Sequence, residues 1–143
     1  MILVLDTNVV VSGLLSPFGA PGEIVRLVSS GVLSLCYEAR ILAEYREVLQ
    51  RPVFPFTLVQ VEALLDQIQA GGQLVEAHPL PVPLPDPDDE VFLAAALAGQ
   101  AQYLVTGNLK HYPARARHGV RVVLPADFLA LYRKRGKEDP DPG

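Results

Sequence analysis

The chain has 143 residues, a net charge of −4, half of its residues hydrophobic and a single cysteine. That length suits one domain with a substantial core, and no apolar run approaches the roughly 20 residues that span a bilayer. The opening stretch, MILVLDTNVV, has no basic segment and is broken by Asp6 and Asn8, so it reads poorly as a signal peptide. One cysteine excludes an internal disulfide framework and a cysteine-built zinc site, leaving Cys36 as a core residue. The expectation is a soluble cytoplasmic domain.

Apolar periodicity then gives strands and helices in alternation. ILVLD (2–6) is an apolar strand ending in a carboxylate, and NVVVSGLLS (8–16) is a helix that stops at Pro17. GAPG (19–22) is a turn into the helix EIVRLVSS (23–30), which Gly31 ends. VLSLCY (32–37) is a second strand, and EARILAEYREVLQR (38–51) an amphipathic helix stopped by Pro52. TLVQVEALLDQIQA (57–70) is a helix with Thr57 as N-cap and Gly71-Gly72 at its end. QLVEA (73–77) is a third strand, and HPLPVPLPDP (78–87) is too rich in proline for anything but a stiff loop. A helix follows Asp89, then the strands YLVT (103–106) and VRVVLP (120–125), then the helix ADFLALYRKR (126–135). The tail beyond Gly136 reads as disordered, so the domain is 1–136 and the tail 137–143. The alternation predicts an α/β fold with a parallel sheet between helices. Ligands of such sheets gather at the carboxyl ends of the strands, which directs attention to Asp6 and to Thr106–His111.

Charge is unevenly spread. Residues 1–109 carry four basic side chains against twelve acidic ones, and residues 110–137 carry eight basic ones against Asp127 alone. An acidic body with a basic C-terminal quarter suits a protein that holds cations in one place and phosphates in another; the plain alternative is a solvated basic helix end.

The acidic side has three features. Asp6 closes the first strand, either as a ligand or as a capping aspartate. Glu44 flanks the apolar arc Ile41, Leu42, Tyr45, Val48 and Leu49, so of the acids on its helix it is best placed to reach a crevice. Asp86, Asp88 and Asp89 crowd into four residues before a helix that Asp89 can cap. A helix start stabilises one carboxylate; three ask for a cation. Oxygen ligands of this kind suit Mg²⁺ or Mn²⁺, and one or two such ions can activate water and stabilise the leaving oxygen of a phosphodiester.

At this point the sequence resembles the PIN domain family of metal-dependent ribonucleases, through VLDTNVVVSGLL, ILAEYREVLQRPVF, LPDPDDEVFLAAALAG, AQYLVTGNLKHYP and VVLPADFL in family order, from Ile2 to about Tyr132. It is nearest to the branch assigned as toxins of bacterial toxin–antitoxin pairs. The resemblance implies a three-layer α/β/α sandwich with a mainly parallel sheet of four to five strands. It carries the catalytic acids onto Asp6, Glu44 and Asp89, with Asp88 able to share the ion, and the fourth position onto Asn108. Asn is a neutral, weaker ligand than the acid often found there. Asn8 and Thr106 resemble residues that hydrogen-bond the first acid. Lys110, Arg115, Arg117 and Arg121 are expected at RNA phosphates, and His111 is either a phosphate contact or a surface histidine. The implied activity is Mg²⁺- or Mn²⁺-dependent cleavage of single-stranded RNA, with a protein antitoxin as partner and a homodimer as assembly. A PIN domain that binds RNA or protein without cutting is the alternative. A phospho-receiver domain is a distant one, since LDTN offers one acid after the first strand and LCYEAR offers Glu38 where that reading wants aspartate.

Overall fold

The computed structural model describes residues 1–138. Its centre is β1 (Ile2–Leu5), whose Leu3, Val4 and Leu5 are all buried. Burial of successive residues, which point to opposite faces, is the mark of a strand covered on both sides. β1 pairs in parallel with β2 (Ser34–Tyr37) on one side and β4 (Tyr103–Val105) on the other; β3 (Gln73–Leu74) and β5 (Val122–Val123) close the edges. The order β3-β2-β1-β4-β5 is all parallel and reverses direction about β1. Helices α1 (Thr7–Leu15), α2 (Ala20–Ser29), α3 (Ala39–Leu49), α4 (Leu58–Gly71), α5 (Glu90–Ala98) and α6 (Pro125–Glu138) complete the expected α/β/α sandwich. No helix among the described residues is long and apolar enough to cross a membrane.

The α5 sequence, EVFLAAALA, buries five residues in a row from Phe92 to Ala96. A helix apolar all round has to be enclosed, and α5 lies across β1, β2 and β4. Cys36 is buried beneath it, its thiol donating to the Ala95 carbonyl at 3.2 Å, and burial pushes that thiol up to about 11. It is a core residue.

Several boundaries differ from the sequence expectation. GAPG is no turn: α2 begins at Ala20 and takes Pro21 into its first turn, where a missing N–H costs nothing because that donor has no helical partner. β3 and β5 shrink to two residues each, since edge strands extend only as far as their neighbours offer pairing. α6 reaches Glu138, and the rest of the expected tail, 139–143, lies outside the described residues.

Gly22 explains how α2 seats so closely. A Cβ there would come 2.2 Å from the Pro17 carbonyl oxygen, and one at Gly13 would come 2.5 Å from Val25 Cγ2. At Gly22 the obstacle is backbone, which cannot swing aside. Gly22→Ala should therefore destabilise the fold by about 1–3 kcal/mol, read as a lower urea midpoint at unchanged m-value.

Candidate active site

Asp6 is the first residue past β1, where its backbone N–H still bonds the Val105 carbonyl at 2.9 Å. It is only 5 % exposed. It sits at the N-cap position of α1, yet its carboxylate makes no cap hydrogen bond, so the capping reading does not hold. Instead Asp6 Oδ2 accepts from Thr106 Oγ1 at 2.9 Å and from the Tyr112 hydroxyl at 3.0 Å. Thr106 follows β4, and its Oγ1 in turn accepts from the Asn108 N–H at 3.1 Å, which leaves the hydroxyl proton for Asp6. Asn8 Oδ1 accepts from the Gly107 N–H at 2.9 Å, so the segments after β1 and β4 are laced together twice.

Glu44 comes from α3. The next residue, Tyr45, is fully buried and donates its hydroxyl to the Leu5 carbonyl, which docks α3 on the end of β1. Glu44 then accepts from Thr7 Oγ1, one residue beyond Asp6. Its carboxyl is pushed upward mainly by burial; the Thr7 bond opposes this, and Asp6, Asp88 and Glu47 add to it.

Asp89 is buried at the foot of α5, and it too leaves the cap unmade. The capping work falls to Asp86, whose Oδ1 accepts from the Asp88 N–H at 2.9 Å at the head of the single 3-10 turn Pro87–Asp89. Asp89 Oδ2 is buried with no hydrogen-bond donor. His111 Nδ1 lies 3.1 Å from it but off the donor line. Burial first, and then the charge of Asp6, raise the Asp89 carboxyl from 3.8 to about 6, with His111 pulling the other way. Asp88 is exposed to solvent.

Asp6, Glu44 and Asp89 thus stand at one edge of the sheet and feel one another's charge. Among the described residues, however, no three His, Cys, Asp or Glu side chains converge as ligands of one ion. The four-acid ligand set expected from the sequence is not assembled: Asp6 and Glu44 are drawn to hydroxyl donors, Asp89 faces His111, and Asp88 is exposed. What the site does hold is a buried acid with an unmatched oxygen beside a second acid, and that suits a cation needing few protein ligands. Mg²⁺ keeps several waters and uses one or two carboxylates plus substrate phosphate, so Asp6 and Asp89 are the residues that would hold it.

Asn108 Oδ1 accepts from the Lys110 N–H at 3.2 Å, capping the turn Leu109–His111, so its oxygen is committed locally. Lys110 is exposed and His111 half-buried on that same turn, beside the acids. Arg115 is exposed, and Arg117 donates its Nε to the Tyr112 carbonyl at 2.7 Å. Arg121 is not brought to the acids. It precedes β5, in register with Tyr103 and Leu3, about 10 Å back along the strands from Asp6, near Met1 and Gln102.

Thr7, Tyr45 and Tyr112 are the site residues that sequence reasoning missed. A fully buried tyrosine hydroxyl needs a partner, but nothing in HYP says that Tyr112 will be buried.

The Asp89 shift has a definite sign. The group titrates near 3.8 when exposed and near 6 when folded, so between those values the folded state holds more protons. Stability of the metal-free protein should fall as pH rises from about 4 to about 6, by up to about 3 kcal/mol from this group. Asp89→Asn should flatten that slope in denaturation curves taken across the range.

A family model described as PIN domain matches residues 2–110. No curated protein and no solved structure matches the chain. The matched span contains Asp6, Glu44, Asp89, Thr106 and Asn108, and stops short of His111, Tyr112 and the arginines that follow. Covering well over half of the sequence and carrying the whole acidic edge of the sheet, it shows that the chain belongs to the PIN domain family, whose fold is of the nuclease type.

Proposed function

We propose that the protein is a divalent-metal-dependent endoribonuclease that cuts single-stranded RNA. The observation that carries this reading is the pairing of buried Asp6 with Asp89, whose Oδ2 has no donor and whose carboxyl is raised first by burial and then by the charge of Asp6. An arrangement that costs stability without a cation is a mark of a functional site. Mg²⁺ or Mn²⁺ bound here would neutralise this charge, lower the pKa of a bound water and stabilise the leaving oxygen. Asp6, held through Oδ2 by Thr106 and Tyr112, would supply one carboxylate to the ion. Asp89 supplies the second carboxylate. Glu44, held by Thr7 and raised by burial, accepts a proton from water readily and orients it. Lys110 and His111 stand where phosphate oxygens would arrive.

The toxin reading goes one step further. It adds a protein antitoxin as partner; Phe18, Val53 and Val59, 97 %, 77 % and 81 % exposed, are the apolar side chains whose protection on antitoxin binding would test it. A second reading, an RNA-binding PIN domain that does not cut, is favoured by the commitment of Asn108 Oδ1 to Lys110. Mg²⁺-dependent cleavage by the purified protein separates the two.

Asp6→Asn should abolish cleavage and also the rise in melting temperature that Mn²⁺ gives the native protein. Thr106→Val, which removes one donor from Asp6, should lower activity by about 10–100-fold. Equal Mn²⁺ shifts in the native and Asp6→Asn proteins would sink the metal reading.

RNA affinity should fall with salt, and Lys110→Ala should reduce the slope of that dependence by about one. Arg121→Ala, at the amino edge of the sheet, should leave the slope where it was. Filter binding across a salt series decides the matter.

A further inference from the structure

A cleft of about 570 Å³ opens beside Glu44, between the proline-rich segment and α5. Its size falls within the roughly 300–1,000 Å³ typical of small-molecule sites. Pro79 and Leu80 form one wall, and Val91 and Ala94 of α5 form the other. The proline-rich wall is held in place. Glu90 Oε2 accepts from the Leu84 N–H at 3.0 Å, Leu84 is buried, and the prolines fix their own φ angles. The facing residues are aliphatic, and the walls exist before any ligand arrives.

Five polar side chains line the cleft: Arg40, Glu44, His78, Asp88 and Glu90. Glu44 and Asp88 supply carboxylates, and Arg40 supplies a guanidinium. Arg40 spends Nε and Nη2 on Glu38, which leaves Nη1. Asp88 is exposed, and its carboxylate accepts no hydrogen bond among the described residues. The cleft also shares a wall with the acids, because Glu44 is bonded to Thr7, the neighbour of Asp6.

We propose that this cleft is a base-binding subsite that seats a guanine next to the phosphate being cut. The inference rests on the nuclease reading for its role but not for its chemistry. Guanine is the RNA base with two adjacent N–H donors, N1 and N2, on its Watson–Crick edge, and a single carboxylate accepts both. Its O6 is an acceptor for a guanidinium proton. Uracil offers one donor between two carbonyls, and those carbonyls would face carboxylates. Asp88 is the bidentate acceptor, Arg40 meets O6, and the ring lies between the Pro79–Leu80 and Val91–Ala94 walls.

Equilibrium binding of the free nucleosides guanosine, adenosine, cytidine and uridine to the whole protein, in EDTA, tests this without metal, phosphate or cleavage. Guanosine should bind about tenfold or more tightly than uridine, the discrimination expected of one bidentate contact. Asp88→Asn should remove most of that preference. Ala77→Trp from the loop side and Val91→Phe from the helix side each fill the cleft, so either variant that keeps its circular dichroism should lose guanosine binding. Equal affinity for guanosine and uridine overturns the proposal, as does guanosine binding that survives in both filled variants. A protein that binds guanosine in this way yet cuts no RNA keeps the subsite and loses the nuclease reading.

Discussion

Asp6 is a carboxylate taken almost wholly out of water at the end of the central strand, and the site is built around making that tolerable. A buried charge without partners is costly, so Asp6 is met by two hydroxyls that reach it from residues a hundred positions away. Tyr112 and Thr106 are themselves fully buried, and both spend their protons on one oxygen. Burial and the nearby acids raise the Tyr112 hydroxyl far above its ordinary range, which keeps it a donor at any physiological pH. Around this contact the segments after β1 and β4 are sewn together through Asn8, Gly107 and Asn108. Remove the burial of Asp6 and the reason for most of that network disappears.

The three central acids do not share one environment. Asp6 has two donors, Glu44 has one, and Asp89 has an oxygen with none. Carboxylates set apart in this way can take different roles in one reaction. Asp6 is the acid held by the most donors, Asp89 is the acid most in need of a counter-ion, and Glu44 lines a cleft beside them. The helix start before α5 is relieved by Asp86, which takes the turn's hydrogen bond and frees Asp89 to face inward. That division of labour accounts for two of the three aspartates in DPDD.

Much of the fold was legible because its signals are redundant. The continuous apolar run of β1, the proline after α1 and the Thr57 cap of α4 each follow from local physics, and Thr57 indeed accepts from the Gln60 N–H at 3.1 Å. The boundaries that misled were those set by neighbours. Pro21 looks like a breaker until α1 shows how closely α2 approaches, and β3 ends where β2 stops offering partners. Asp6, Glu44 and Asp89 could be picked out from their places on the strand and helices. The donors could not, since Thr7, Tyr45 and Tyr112 act only through contacts made across 37 to 106 positions of chain. The fate of Asn108 Oδ1 was equally hidden, because a resemblance assigns a position and not the local turn that occupies it.

The order of the chain adds a temporal consequence. β1 is made first and lies at the middle of the sheet, but its partner on one side, β4, comes about a hundred residues later. The hydroxyls that steady Asp6 come late, at residues 106 and 112. A ribosome making this protein therefore releases the acids long before the groups that organise them, and domains tend to fold as units once their parts have emerged. Through most of translation the central strand has an open edge and the acidic site has no shape. The acids therefore stay without their donors until residue 112 has emerged, and the site takes its shape only after that.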